Sequence, residues 1–227
     1  MLRAYVFRAS SRPEDCKRYI EAHLRTLQSY GIKDLTSADP VWLKNPKVYI
    51  MILEEEETNE IIAGGRLQFQ NDLVPLPVEV ALKDIEPNIS SFVRRPSYQP
   101  ICEYCGLWSS RKYANYGIGS ILLMRMGVAL LTIVGASSCI AFNSPALYKN
   151  CLRIGFKNVD ELKNGGEFYY PTPEFKSRVL LIDDPIDLKS ASPQDRERIF
   201  QLRENPIQEY KEMGIRGEII VRYDLTV

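Results

Sequence analysis

One stretch of the chain carries residue types at a spacing that could handle an anionic, activated substrate. Cys102, Glu103 and Cys105 are followed by Leu107, Trp108 and Ser109, and then by a polar run ending in Asn115, Tyr116, Gly117, Ile118, Gly119 and Ser120. Residues 101–109 read as a buried strand, and the apolar run after Gly117 reads as a helix. A loop joining them would gather unpaired backbone N–H groups and the positive end of the helix dipole at one point. Glycines, lacking a Cβ, let that backbone close on a phosphate or pyrophosphate. Two better-known phosphate loops are excluded. A dinucleotide fingerprint needs a glycine three residues after Gly119, where Leu122 stands, and no Gly-Lys-Ser/Thr occurs.

Other chemistry finds less support. Cys102 and Cys105 form a C-x-x-C, but His23 is the single histidine and no second cysteine pair exists, so a four-ligand zinc site lacks ligands. Residues three apart on a strand also face opposite sides. His23 adjoins the apolar stripe of the first helix, which suits packing or capping, and no serine–histidine pattern supports a triad. A covalent route through Cys105 or Cys151 would use a strong nucleophile, yet no activating base is evident beside either.

These residues need a scaffold, and its outline is legible. Residues 2–9 alternate as a strand, and Ser11, Pro13 and Glu14 predict a capped helix start, with Cys16, Tyr19, Ile20, Leu24 and Leu27 at helical spacing up to Gly31. Residues 47–53 and 61–69 predict a hairpin whose acidic tip, residues 54–60, is a solvated turn. Residues 71–100 hold Pro75, Pro77, Pro87, Pro96 and Pro100 and one short helical pattern, 78–85, and so read as a long excursion between strands. A helix over 117–134, a buried strand over 138–143 and a short helix over 146–153 follow. Strands are expected at 166–170 and 178–182. Ser192 and Pro193 open a charged helix, and residues 218–225 close the chain as a strand.

Lys plus Arg number 29 and Asp plus Glu 29, so no global positive field exists to hold nucleic acid or an anionic membrane. The longest near-apolar run, 126–135, is well short of the ~20 residues of a membrane helix. The charged, alternating N-terminus is unlike a secretory signal, and five scattered cysteines are unlike a disulfide framework, so a cytoplasmic protein is expected.

The order strand, helix, hairpin, strand, glycine loop, helix, strand, helix with Gly155-Phe156 resembles the GNAT acyltransferase superfamily over residues 1–182. Ala63-Gly64-Gly65-Arg66-Leu67 resembles its third strand. The resemblance implies an α/β (α+β) fold with a mixed, mostly antiparallel central sheet flanked by helices and splayed fourth and fifth strands. Residues 183–227 would be an extension on the same domain. It further implies acetyl-CoA or another acyl-CoA as co-substrate and a small-molecule or peptide amine as acceptor, with no metal. A homodimer is left open.

By the same resemblance Leu107, Trp108 and Ser109 meet the thioester, residues 115–120 hold the pyrophosphate, and Asn143 lies on the fifth strand. Glu103 matches a glutamate that serves as base, the other reading being a structural carboxylate paired with an arginine. The usual loop arginine or glutamine is replaced by Ala114. The usual acid tyrosine is replaced by Cys151, with Tyr148 one turn earlier, so either could protonate the leaving thiolate. Residues 71–100 would wall the acceptor pocket, with Phe92 covering apolar surface and Arg94 and Arg95 meeting an acidic group. The alternatives are transfer of a longer acyl chain, as in the acyl-homoserine lactone synthases, and a catalytically silent acyl-CoA-binding module.

Overall fold

The computed structural model describes residues 1–31, 38–114 and 119–227. Strand β1 (Leu2–Arg8) leads into α1 (Pro13–Ser29), and β2 (Val48–Glu55) and β3 (Ile61–Phe69) form the expected hairpin, with Asn59 at positive φ in its turn. Two short helices, α2 (Pro77–Leu82) and α3 (Ile89–Val93), precede β4 (Ile101–Ser109). Then come α4 (Arg111–Ala114), α5 (Gly119–Ile133), β5 (Ser138–Asn143), α6 (Pro145–Arg153), β6 (Lys157–Asn158), β7 (Glu167–Tyr169) and β8 (Lys176–Ile182). The last elements are α7 (Pro193–Glu204), β9 (Ile207–Gly214) and β10 (Gly217–Asp224).

The strands form one sheet in the order β6-β8-β5-β4-β3-β2-β1-β10-β9, with β7 also on β8. Only β1–β10 and β4–β5 are parallel among the described pairs. Alternation along the strands sends side chains to two helical layers. Leu2, Ala4, Met51, Cys102 and Tyr104 meet α5, α6 and α7 in one core. On the other face Tyr5, Phe7 and Ile50 meet α1, while Ile101, Ile140 and Val179 meet α2 and α3. No described helix is long and apolar enough to cross a membrane.

Several local expectations need correction. The Ser11 hydroxyl donates to the Arg8 carbonyl at 2.7 Å instead of capping α1, whose N-cap is Arg12. Glu54 belongs to β2, buried against Arg18 and Tyr5, and not to a solvated turn. The excursion 71–100 holds two helices where one was expected, and β9 was not expected at all. Ser192 does cap α7, accepting the Asp195 N–H.

Candidate active site at the divergence of β4 and β5

Parallel pairing of β4 with β5 stops early: Ile101, Cys102 and Glu103 face Ser138, Cys139 and Ile140, and beyond them the strands have no register partners in each other. Both continue, β4 to Ser109 and β5 to Asn143, so a wedge opens between them. On its other side β4 is bulged. Arg66 pairs with Cys105 and Gly64 with Trp108, which leaves Gly65 opposite both Gly106 and Leu107. Gly106 has φ +57, and a Cβ there would sit 2.9 Å from the Tyr19 hydroxyl and 3.1 Å from a guanidinium nitrogen of Arg66. The bulge therefore requires glycine, and it re-aims the backbone of Leu107.

Around the bulge lies a buried polar cluster. The Tyr19 hydroxyl donates to the Gly106 carbonyl at 3.0 Å, and fully buried Arg66 lies over the Trp42 ring at 4.8 Å. His23 stacks on Trp108, with centroids 6.0 Å apart and planes 7° apart. Burial, aided by Arg66, holds the His23 imidazole neutral by lowering its pKa to about 4.

Glu103, the last residue of the β4–β5 ladder, is buried and accepts the Val78 N–H at 2.8 Å. Burial pushes its carboxyl up to about 8; the Val78 N–H and Arg66 oppose the shift, and Glu79 adds to it. On the opposite face Tyr104 donates to the Leu123 carbonyl at 2.7 Å, its ring lying against Gly127, where a Cβ would meet it at 2.5 Å.

At the last residue of β4, a cavity of about 510 Å³ is lined by Ser109, Gly119, Ser120, Arg125, Asn150, Arg153, Gln194, Glu212 and Met213, among others. It lies at the start of α5. The Ser109 hydroxyl is buried with no hydrogen-bond partner among the described residues. A Cβ on Gly119 would come within 2.7 Å of that oxygen. An unspent hydroxyl and a backbone that approaches because it lacks a side chain suit an oxygen-rich anionic ligand. Arg125 and Arg153 flank the cavity, bridged by buried Asp195 at 2.6 and 3.0 Å, and Glu212 lies 3.5 Å from Arg125. Although burial opposes it, the Ser192 hydroxyl and Arg125 hold the Asp195 carboxyl below its usual range.

The expected site residues thus divide. Leu107, Trp108, Ser109, Gly119 and Ser120 gather along β4 and the start of α5, whereas Asn115, Tyr116, Gly117 and Ile118 lie outside the described residues. Asn143 donates to the Cys151 sulfur at 3.2 Å. Cys151 is buried, and burial pushes its thiol up to about 12. Tyr148 turns toward the outer edge of β8, donating to Asn158 at 3.0 Å beneath the Arg178 guanidinium.

Phe92 is only 2% exposed, packed on Tyr98 within the α2–α3 core, so it covers neighbouring core and not an open pocket. Arg94 pairs with Asp72 at 2.8 Å, and Arg95 pairs with Glu161 while stacking on Phe92. The cavity residues Arg125, Asn150, Arg153, Gln194 and Glu212 were not foreseen. Arg125, the lone charge in the apolar helix α5, was the available signal of a buried ion pair.

No family model matches the chain, and no curated protein matches it by sequence. Solved structures do match. FeeM, an N-acyl amino acid synthase from uncultured soil microbes, superposes with TM-score 0.61 at 11% identity over 82% of this chain and 98% of that one. The acyl-homoserine lactone synthase LasI gives 0.55 at 13% identity over 80% and 89%. An acyl-CoA N-acyltransferase from Pseudomonas aeruginosa gives 0.53 at 12% identity over 80% and 99%. The chain has the fold of the GNAT acyltransferases, splayed fourth and fifth strands included.

Proposed function

We propose that this chain is an acyl-CoA-dependent acyltransferase that transfers an acetyl group to an amine by direct attack. The observation that carries this reading is the wedge that opens between β4 and β5 beyond Glu103, with the bulge at Gly106 on the same strand and a cavity where its last residue, Ser109, meets Gly119. The pyrophosphate would bind at residues 115–120 and the Ser109 hydroxyl, and the pantetheine would run between β4 and β5 past Asn143. The N–H of Leu107 or Trp108 would stabilise the oxyanion, a contribution of ~3 kcal/mol per donor in comparable acyl transfers.

Glu103 takes the amine proton, since a carboxyl raised to about 8 is close to the pKa a base needs near neutrality. Of the two candidate acids, Cys151 holds its proton too tightly through burial, so Tyr148 would serve as proton donor to the departing thiolate only after its hydroxyl leaves Asn158. Residues 71–100, lying over Glu103, wall the acceptor side, with exposed portions of Arg94 and Arg95 available to an acidic group. The amine acceptor would be a small molecule or peptide, and the reaction would proceed in the cytoplasm.

A longer acyl group is the second reading. It is supported by the likeness to an acyl-homoserine lactone synthase solved with isopentyl-CoA, at TM-score 0.53 and 10% identity over 90% of both chains. Tyr104 weighs against it, because its ring fills the α5 side of the point where the wedge closes. The test is CoA release from acyl-CoAs of increasing length against a panel of amines and amino acids. Release with acetyl-CoA that falls with chain length supports the first reading. A maximum at longer chains supports the second, and silence with every pair would sink both.

A further inference from the structure

At one end of the sheet β9 pairs only with β10 among the described residues, which leaves the other edge of an eight-residue strand open. Its side chains alternate cleanly. Gln208, Tyr210 and Glu212 turn inward toward α7, with Arg198 bonded to Gln208 and Glu212 and stacked 3.6 Å from the Tyr210 centroid. Ile207, Glu209, Lys211 and Met213 face solvent, Ile207 at 66% and Met213 at 71% exposure.

We propose that this edge is a homodimer interface, in which the β9 strands of two copies pair antiparallel about a two-fold axis at Tyr210. Such an axis, perpendicular to the sheet, preserves its faces, so odd-numbered outward residues can only oppose odd-numbered ones. Three central registers are then available. Centring on Glu209 sets two glutamates opposite each other, with Lys211 against Ile207. Centring on Lys211 sets two lysines opposite each other. Centring on Tyr210 sets Glu209 against Lys211 twice and Ile207 against Met213 twice.

Opposite charges or packed apolar pairs across strands contribute ~0.2–1 kcal/mol each, while like charges directly opposed destabilise. One register is therefore favoured at all four outward positions, and the others are penalised. Glu209 and Lys211 are already held on this face by Arg222 at 2.9 Å and Glu218 at 3.2 Å, which lowers the cost of ordering them. A charged edge repels most strands. A second copy of this chain carries the complementary order.

The test is sedimentation of the full chain over a concentration series. Wild type should dimerise. Glu209→Lys and Lys211→Glu, both at exposed positions, should each raise the dissociation constant by about tenfold or more, ~1.4 kcal/mol, with an unchanged circular-dichroism spectrum. Mixed together, the two variants should form a heterodimer, because one chain then presents lysine at both charged outward positions and the other presents glutamate at both. A monomeric wild type, a dimer indifferent to either reversal, or variants that do not pair when mixed would each overturn the proposal.

Discussion

The Val78 N–H donates to the Glu103 carboxylate at 2.8 Å, so the residue at the last rung of the β4–β5 ladder also holds the start of α2. A single carboxyl thus joins the point where the sheet opens to the segment that covers it. Burial has pushed that carboxyl up to about 8, so it is largely protonated at neutral pH. Turnover should therefore rise with pH toward a plateau above about 8. Glu103→Gln, which keeps an oxygen for Val78, should lower the plateau ~10²- to 10⁴-fold and abolish that ascending limb. The deficit should shrink near pH ~10.4, where the amine loses its proton unaided. A pH–rate profile for both proteins checks this, and an unchanged rate at neutrality would mean another group takes the proton.

The same shift has a sign in stability. Between 4.5 and about 8 folded Glu103 retains a proton that the unfolded chain has lost, so its contribution to stability falls as pH rises through that window. His23 acts oppositely. Its pKa is lowered from 6.5 to about 4, so stability is lost as pH falls through that interval, by an amount on the order of 3 kcal/mol. His23→Phe, which retains a ring against Trp108, should flatten the acid side of the curve in denaturant titrations. An acid limb unchanged in this variant would place the responsible groups elsewhere.

Tyr104 should limit acyl length. Tyr104→Ala removes the ring lying against Gly127 and should shift preference toward longer acyl-CoAs, while Tyr104→Phe, which keeps the ring, should not. The alanine variant should also lose ~3–5 kcal/mol of stability, so kcat/KM ratios between acyl-CoAs are the readout. An identical chain-length profile in all three proteins would remove Tyr104 from selectivity.

Replacing Arg94 and Arg95 by alanine should alter acceptor affinity more than CoA affinity. Their ion pairs with Asp72 and Glu161 are exposed, and such pairs are typically worth under ~1 kcal/mol, so folding should survive. Weakened CoA binding alone, measured by calorimetry, would make them cofactor ligands.

Much of this architecture was legible because its signals are local. Alternation disclosed β1, β-rich runs on either side of an acidic turn disclosed β2 and β3, a buried apolar run disclosed β4, and Ser192 with Pro193 disclosed α7. β9 was hidden because an edge strand reading Ile-Gln-Glu-Tyr-Lys-Glu-Met-Gly has little apolar alternation to offer. The glycine-bearing helix start pointed to the cavity, but its far wall comes from Gln194, Glu212 and Met213, residues brought there by tertiary packing alone. Arg66 was read as part of a strand. Its burial over the Trp42 ring is a contact between elements distant in the chain, which spacing does not reveal.

The central claim, an acyl-CoA site built on the start of α5, is tested most directly by calorimetric titration of acetyl-CoA into wild type and Gly119→Val. A branched side chain at Gly119, where even a Cβ would sit 2.7 Å from the Ser109 hydroxyl, must displace that oxygen and push back the approaching ligand. Wild type should bind, and the folded variant should bind at least tenfold more weakly, ~1.4 kcal/mol. No binding by wild type, or equal affinity in the two folded proteins, would contradict the account.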